Sequence, residues 1–137
     1  SHSVKFQFQM IPQVDDCFEK DNITPSFTEE EQAYMGFMRG INAIHKENNS
    51  CSDYWIWPNL APDSLIRKCP PALILTTEFD MFRRGSENAA KLFLRNDKLI
   101  EFGILKGTYH GHFFDFKCGR TAAWFKAIKD AIDVHLR

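Results

Sequence analysis

The stretch from Pro70 to Phe114 limits most severely what this chain can fold into. Ala72 to Thr77 is a short aliphatic run that follows two prolines and ends in polar residues, the pattern of a buried strand. Ile100, Phe102 and Ile104 alternate with other residues, which predicts a second strand. Between them, Ser86 to Asn96 carries Ala89, Ala90, Phe93 and Leu94 at helical spacing. Strand, helix, strand is a βαβ unit, so the two strands should run parallel. Asp80 follows the first strand and His110 follows the second. Ligands of open parallel sheets bind outside the carboxyl ends of the strands. The sequence therefore predicts an acid and a base on one rim of one sheet.

The flanking segments extend this unit on both sides. Residues 4 to 11 alternate, with Val4, Phe6, Phe8 and Met10 forming an apolar face that predicts a further strand. Pro12 to Ser26 reads as a loop. Thr28 and Glu31 have the spacing of a capping box, opening a helix to about His45. Its apolar stripe is Ala33, Tyr34, Phe37, Met38, Ile41 and Ile44. Cys51 to Cys69 reads as irregular and holds Trp55 and Trp57. A final helix is expected from about Arg120 to Leu136, with Phe125, Ile128, Ile132 and His135 on its stripe. The predicted class is α/β: three parallel strands with crossover helices in β-α-β-α-β-α order. Residues 1–137 would form a single domain, and right-handed crossovers would make it doubly wound. The 4–11 strand should present an open edge that invites pairing.

Composition narrows the function classes. A chain of 137 residues with 44% hydrophobic residues can build one domain with a core. Seventeen basic residues against 18 acidic ones give a net charge of −1, which argues against a nucleic-acid or polybasic membrane partner. No apolar run is long enough to span a bilayer. Cys17, Cys51, Cys69 and Cys118 include no Cys-x-x-Cys pair, which slightly favours a reducing, cytoplasmic setting. Two sequons, at Asn22 and Asn48, lean weakly toward the secretory pathway. The compartment stays unspecified.

The same central residues carry a resemblance. Pro70-Pro71-Ala72 leading to Glu78-Phe79-Asp80, then Gly107 and His110-Gly111, resembles the C-terminal part of α/β-hydrolase carboxylesterases. The similarity is to the branch related to hormone-sensitive lipase and arylacetamide deacetylase. It implies that Asp80 is the triad acid and His110 the triad base, with no cofactor and no metal. Two positions depart from that pattern: Met81 stands where the family usually has proline, and His112 displaces the expected phenylalanine to Phe113. The family's nucleophile sits in a Gly-x-Ser-x-Gly elbow and its oxyanion hole in an HGGG-type loop. Neither pattern occurs here; no serine has the flanking glycines.

Each residue also has a plainer reading. An aspartate after a strand caps the next helix in many proteins, and a loop histidine can simply pack. His110-x-His112 near Asp115 has the look of a metal pair, but no third ligand stands at suitable spacing. Trp55 and Trp57 would line either an acyl pocket or the core. His45 and His135 fall on or beside helical stripes and read as helix-surface residues. Glu101 should be solvated.

Two functions of different class follow. The first is the acid- and base-bearing half of a serine carboxylic-ester hydrolase, acting on an ester in the intact enzyme and inactive alone. The second is a noncatalytic, truncated hydrolase-like module that self-associates. The expected partners are accordingly a missing N-terminal half or further copies of the chain.

Overall fold

Every residue from Ala72 to Thr77 is buried, because the strand they form is covered on both faces. The computed structural model of the chain describes residues 4–10, 12, 29–48, 54, 57–111, 117 and 119–135. Strand β1 is Gln7–Met10, helix α1 is Glu29–Asn48, and a 3-10 turn spans Pro58–Leu60. Then come α2 (Asp63–Ile66), β2 (Ala72–Phe79), α3 (Arg83–Leu94), β3 (Leu99–Tyr109) and α4 (Gly119–His135). The sheet order is β1-β2-β3 and both pairings are parallel, as the strand-helix-strand pattern requires.

Among the described residues the alternation of β2 separates two clusters of the core. Ala72 and Ile74 point to one face and pack with Ala89, Ala90, Leu92 and Phe93 of α3. Leu73 and Leu75 point to the other and pack with Trp124 and Ala131 of α4. Strand β1 follows the same parity. Phe8 pairs with Leu73 and Met10 with Leu75, and both join the α4-side cluster. Gln7 and Gln9 therefore fall on the α3 side. There they line an apolar cavity of 720 Å³ together with Tyr54, Cys69 and Phe93.

Strand β3 is not the simple alternation that Ile100, Phe102 and Ile104 suggest. Ala72 pairs with Leu99, but Leu73 pairs with Glu101, so Ile100 is an extra residue. The bulge resets the parity, and Leu99 and Phe102 both reach the α3-side cluster although they are three apart. Glu101 is exposed, as expected. Gly103 lies so close to β2 that an added Cβ would stand 2.6 Å from Leu75 Cδ2.

Several expected faces are placed differently. Val4 is 70% exposed, and it and the half-buried Phe6 lie before the strand, so the inward face of β1 reduces to Phe8 and Met10, which are also only half-buried. In α1, Phe37 is 63% and Ile44 60% exposed, and the side chains of Tyr34 and Met38 lie outside the described residues. In α4 the buried positions are Thr121, Trp124 and Ala131, while Phe125 and Ile132 are exposed. Leu94 of α3 is exposed and Leu92 is buried in its stead. Thr28, Ile11 and most of the loop up to the first helix lie outside the described residues.

Candidate active site

Asp80 leaves the end of β2 and starts the turn into α3. Its carbonyl accepts the Arg83 N–H at 3.1 Å, and its Oδ1 accepts the Phe82 N–H at 2.8 Å. An aspartate is well suited to this because its short carboxylate reaches the backbone two residues on. The same carboxylate takes the Thr77 hydroxyl on Oδ2 at 2.9 Å. Asp80 is fully buried, so these donors replace the water the charge has lost.

His110 follows the last residue of β3 and brings Nδ1 to 3.1 Å from Asp80 Oδ1. A carboxylate only accepts, so Nδ1 donates and Nε2 is left as the acceptor. The imidazole also meets the Phe82 ring edge-on, with centroids 5.2 Å apart and planes 70° apart. The side chain is one-third exposed, open to solvent on one side while the acid behind it is sealed. Gly111, at φ +80°, lets the chain turn away directly after the histidine. A buried carboxylate that orients an accessible imidazole can tune it as a proton acceptor and stabilise its cation.

The plainer reading of Asp80 as a helix cap is not met: Phe82 occupies the cap position of α3 without a side-chain bond, and Asp80 instead holds the turn before the helix while bonding His110. Ser86, the first serine after the acid, is fully buried in α3 and its hydroxyl donates to the Phe82 carbonyl at 3.3 Å, so it is closed to a substrate. His112, Asp115 and Trp55 lie outside the described residues, as do the side chains of His45 and His135; Trp57 is buried. Among the described residues no three His, Cys, Asp or Glu side chains cluster as metal ligands. No described helix is long and apolar enough to cross a membrane.

The motifs did not point to Thr77, Phe82 or Arg120 as parts of this rim, and they included Glu78 without giving it a role. Glu78 Oε2 accepts the Gly107 N–H at 2.6 Å, and Oε1 meets Lys106 Nζ at 3.0 Å. These contacts, the Gly107 bond first and the lysine second, hold the Glu78 carboxyl below the usual carboxylate range. The available signal was the glycine of β3 itself, a break in a strand pattern that marks a bulge.

A family model described as alpha/beta hydrolase fold matches residues 1–114, which include the acid, the base and all three strands. The chain belongs to the α/β-hydrolase family. Its three parallel strands are part of an α/β-hydrolase sheet, and solved hydrolases superpose on it. An esterase from Pseudomonas putida matches with a TM-score of 0.71 and 21% identity, over 100% of this chain and 44% of its own. Carboxyl esterase 2 from the mycorrhizal fungus Tuber melanosporum matches with a TM-score of 0.71 and 20% identity, over 97% and 45%. Brefeldin A esterase, a bacterial homologue of human hormone-sensitive lipase, matches with a TM-score of 0.64 and 17% identity, over 93% and 38%. At such identities the likeness is one of fold. The chain spans less than half the length of each of these structures. No curated protein sequence matches it.

Proposed function

We propose that Asp80 and His110 are the acid and base of a serine carboxylic-ester hydrolase whose nucleophile and oxyanion loop lie outside these 137 residues. The observation that carries this reading is the 3.1 Å bond between a fully buried carboxylate and a one-third-exposed imidazole at the carboxyl ends of neighbouring parallel strands. The similarity to solved esterases supports the same class.

In that reaction His110 Nε2 takes the proton of the serine hydroxyl as its oxygen bonds to the ester carbonyl carbon. The tetrahedral intermediate collapses, the carbonyl–alkoxy bond breaks, and His110 returns the proton to the departing alcohol. Water then attacks the acyl-serine, His110 again takes the proton, and the acid leaves as the serine is reprotonated. Asp80 keeps Nδ1 protonated throughout and stabilises the imidazolium without accepting its proton.

The test is expression of the whole open reading frame that contains these residues, assayed on short-chain p-nitrophenyl esters. Asp80→Asn is expected to lower kcat by on the order of 10⁴, the scale of the corresponding change in a serine protease triad. The 137-residue chain alone is expected to show no hydrolysis above its own His110→Ala variant. Loss of a nucleophile costs about a million-fold. Undiminished esterase activity of the full chain after His110→Ala would refute the assignment. A second reading, a noncatalytic module that self-associates, is favoured by one feature: the exposed Phe125 and Ile132 on α4.

A further inference from the structure

The pairing of β2 with β3 breaks once near the rim. Thr77 pairs with Leu105, and pairing resumes with Phe79 and Tyr109. Lys106, Gly107 and Thr108 thus stand opposite Glu78 alone. In unbroken register Thr108 would be the residue beside Asp80. The bulge therefore decides that the histidine meets the acid.

Such a bulge leaves backbone groups without strand partners and has to be held by something else. Gly107 sits at φ +66°, a conformation that costs a residue with a Cβ. Its N–H donates to Glu78 Oε2 from the end of β2, at 2.6 Å. Its carbonyl accepts from the Arg120 guanidinium in the first turn of α4. A Cβ at this position would run into that guanidinium. Next in the chain, Thr108 is fully buried and its hydroxyl donates to the Leu105 carbonyl at 2.6 Å, closing the bulge from within. Glu78 is thereby kept ionised, with Lys106 as its second partner.

We infer that Glu78 and Arg120 are positioning residues that clamp the Gly107 peptide groups from two sides and so deliver His110 to Asp80. The inference rests on the reading of Asp80 and His110 as the acid–base pair. Neither clamp residue touches a substrate; both act through the geometry of the bulge.

The experiment is NMR of the 137-residue chain with labelled histidine, His110 being assigned by its loss in His110→Ala. The readout is the low-field Nδ1 proton of His110 and its exchange with water. In the unmodified chain this proton should be seen, and Asp80→Asn should abolish it. Glu78→Ala should speed its exchange about tenfold, as expected when a charge-assisted hydrogen bond is removed. Glu78→Gln, whose amide oxygen still accepts the Gly107 N–H, should restore most of the protection. Arg120→Ala, a truncation on the exposed face of a helix, gives an independent arm and should also speed exchange. Arg95→Ala, which breaks the exposed ion pair with Asp63 at 2.8 Å elsewhere, should leave it unchanged. Wild-type exchange in both Glu78→Ala and Arg120→Ala would overturn the clamp and leave the dyad standing. An unmodified chain with no Asp80-dependent Nδ1 proton would overturn the dyad itself, and the clamp with it.

Discussion

Two adjacent threonines of β2 should respond in opposite directions to the same substitution. Thr76 and Thr77 are both fully buried, on opposite faces of the strand. Thr77 donates its hydroxyl to the Asp80 carboxylate at 2.9 Å. Thr76 Oγ1 has no hydrogen-bond partner among the described residues. Valine matches threonine in shape, so Thr→Val removes the hydroxyl without opening a cavity. At Thr77 the loss is a bond to a charged, sealed acceptor, worth about 1.5–3 kcal/mol. At Thr76 the change relieves a buried unpaired hydroxyl, a gain of about 1 kcal/mol. Urea unfolding followed by the fluorescence of buried Trp57 and Trp124 measures both. With a denaturant slope of about 2 kcal/mol/M, Thr77→Val should lower the midpoint by about 1 M and Thr76→Val should raise it by about 0.5 M. In an Asp80→Asn background the acceptor is neutral, and Thr77→Val should cost only about 0.5–1.5 kcal/mol. Equal shifts for the two threonines, or a Thr77→Val penalty that Asp80→Asn leaves unchanged, would refute the account of how Asp80 is held.

Acid should loosen the rim before it unfolds the rest. The folded-state pKa of Glu78 is lowered, so its contribution is fully present above the ordinary carboxylate range. That contribution is lost as pH falls through the depressed value, and Glu78→Gln should flatten this part of the stability–pH curve as measured by urea titration at successive pH. Asp63, lowered by hydrogen bonding to Asn96 and then Arg95, titrates with the same sign and remains in that variant as an internal reference. Self-association through α4 is tested by sedimentation equilibrium: the chain should be dimeric or larger, and Phe125→Lys with Ile132→Lys should make it monomeric. A well-folded chain that stays monomeric at high micromolar concentration would remove the module reading.

What the sequence determined by itself was local or depended on one strand's surroundings. The uninterrupted run from Ala72 to Thr77 meant a strand covered on both faces, because a strand with one wet face would alternate. The spacing of Ala89, Ala90, Phe93 and Leu94 marked the buried face of α3 at its first three positions, while Leu94 is exposed. A strand–helix–strand order demanded parallel pairing, and that alone put Asp80 and His110 on one rim.

The tertiary structure decided whatever depends on a partner. In helix α4 the helical spacing points to Phe125, Ile128, Ile132 and His135, but Thr121, Trp124 and Ala131 are buried instead, while Phe125 and Ile132 are exposed. The α4-side face of β2, with Leu73 and Leu75, decided this by packing against Trp124 and Ala131. For α1, an apolar stripe signals a surface that gains from burial but does not say against what, and the described core was completed by other helices. Most telling are the bulges of β3. A bulge is a mismatch between two strands, so a glycine such as Gly107 can hint at one in the sequence but only the pairing fixes where it falls. Only the pairing of Phe79 with Tyr109 shows that residues had been looped out, that Gly107 had to turn left-handed, and that Glu78 and Arg120 were there to hold it.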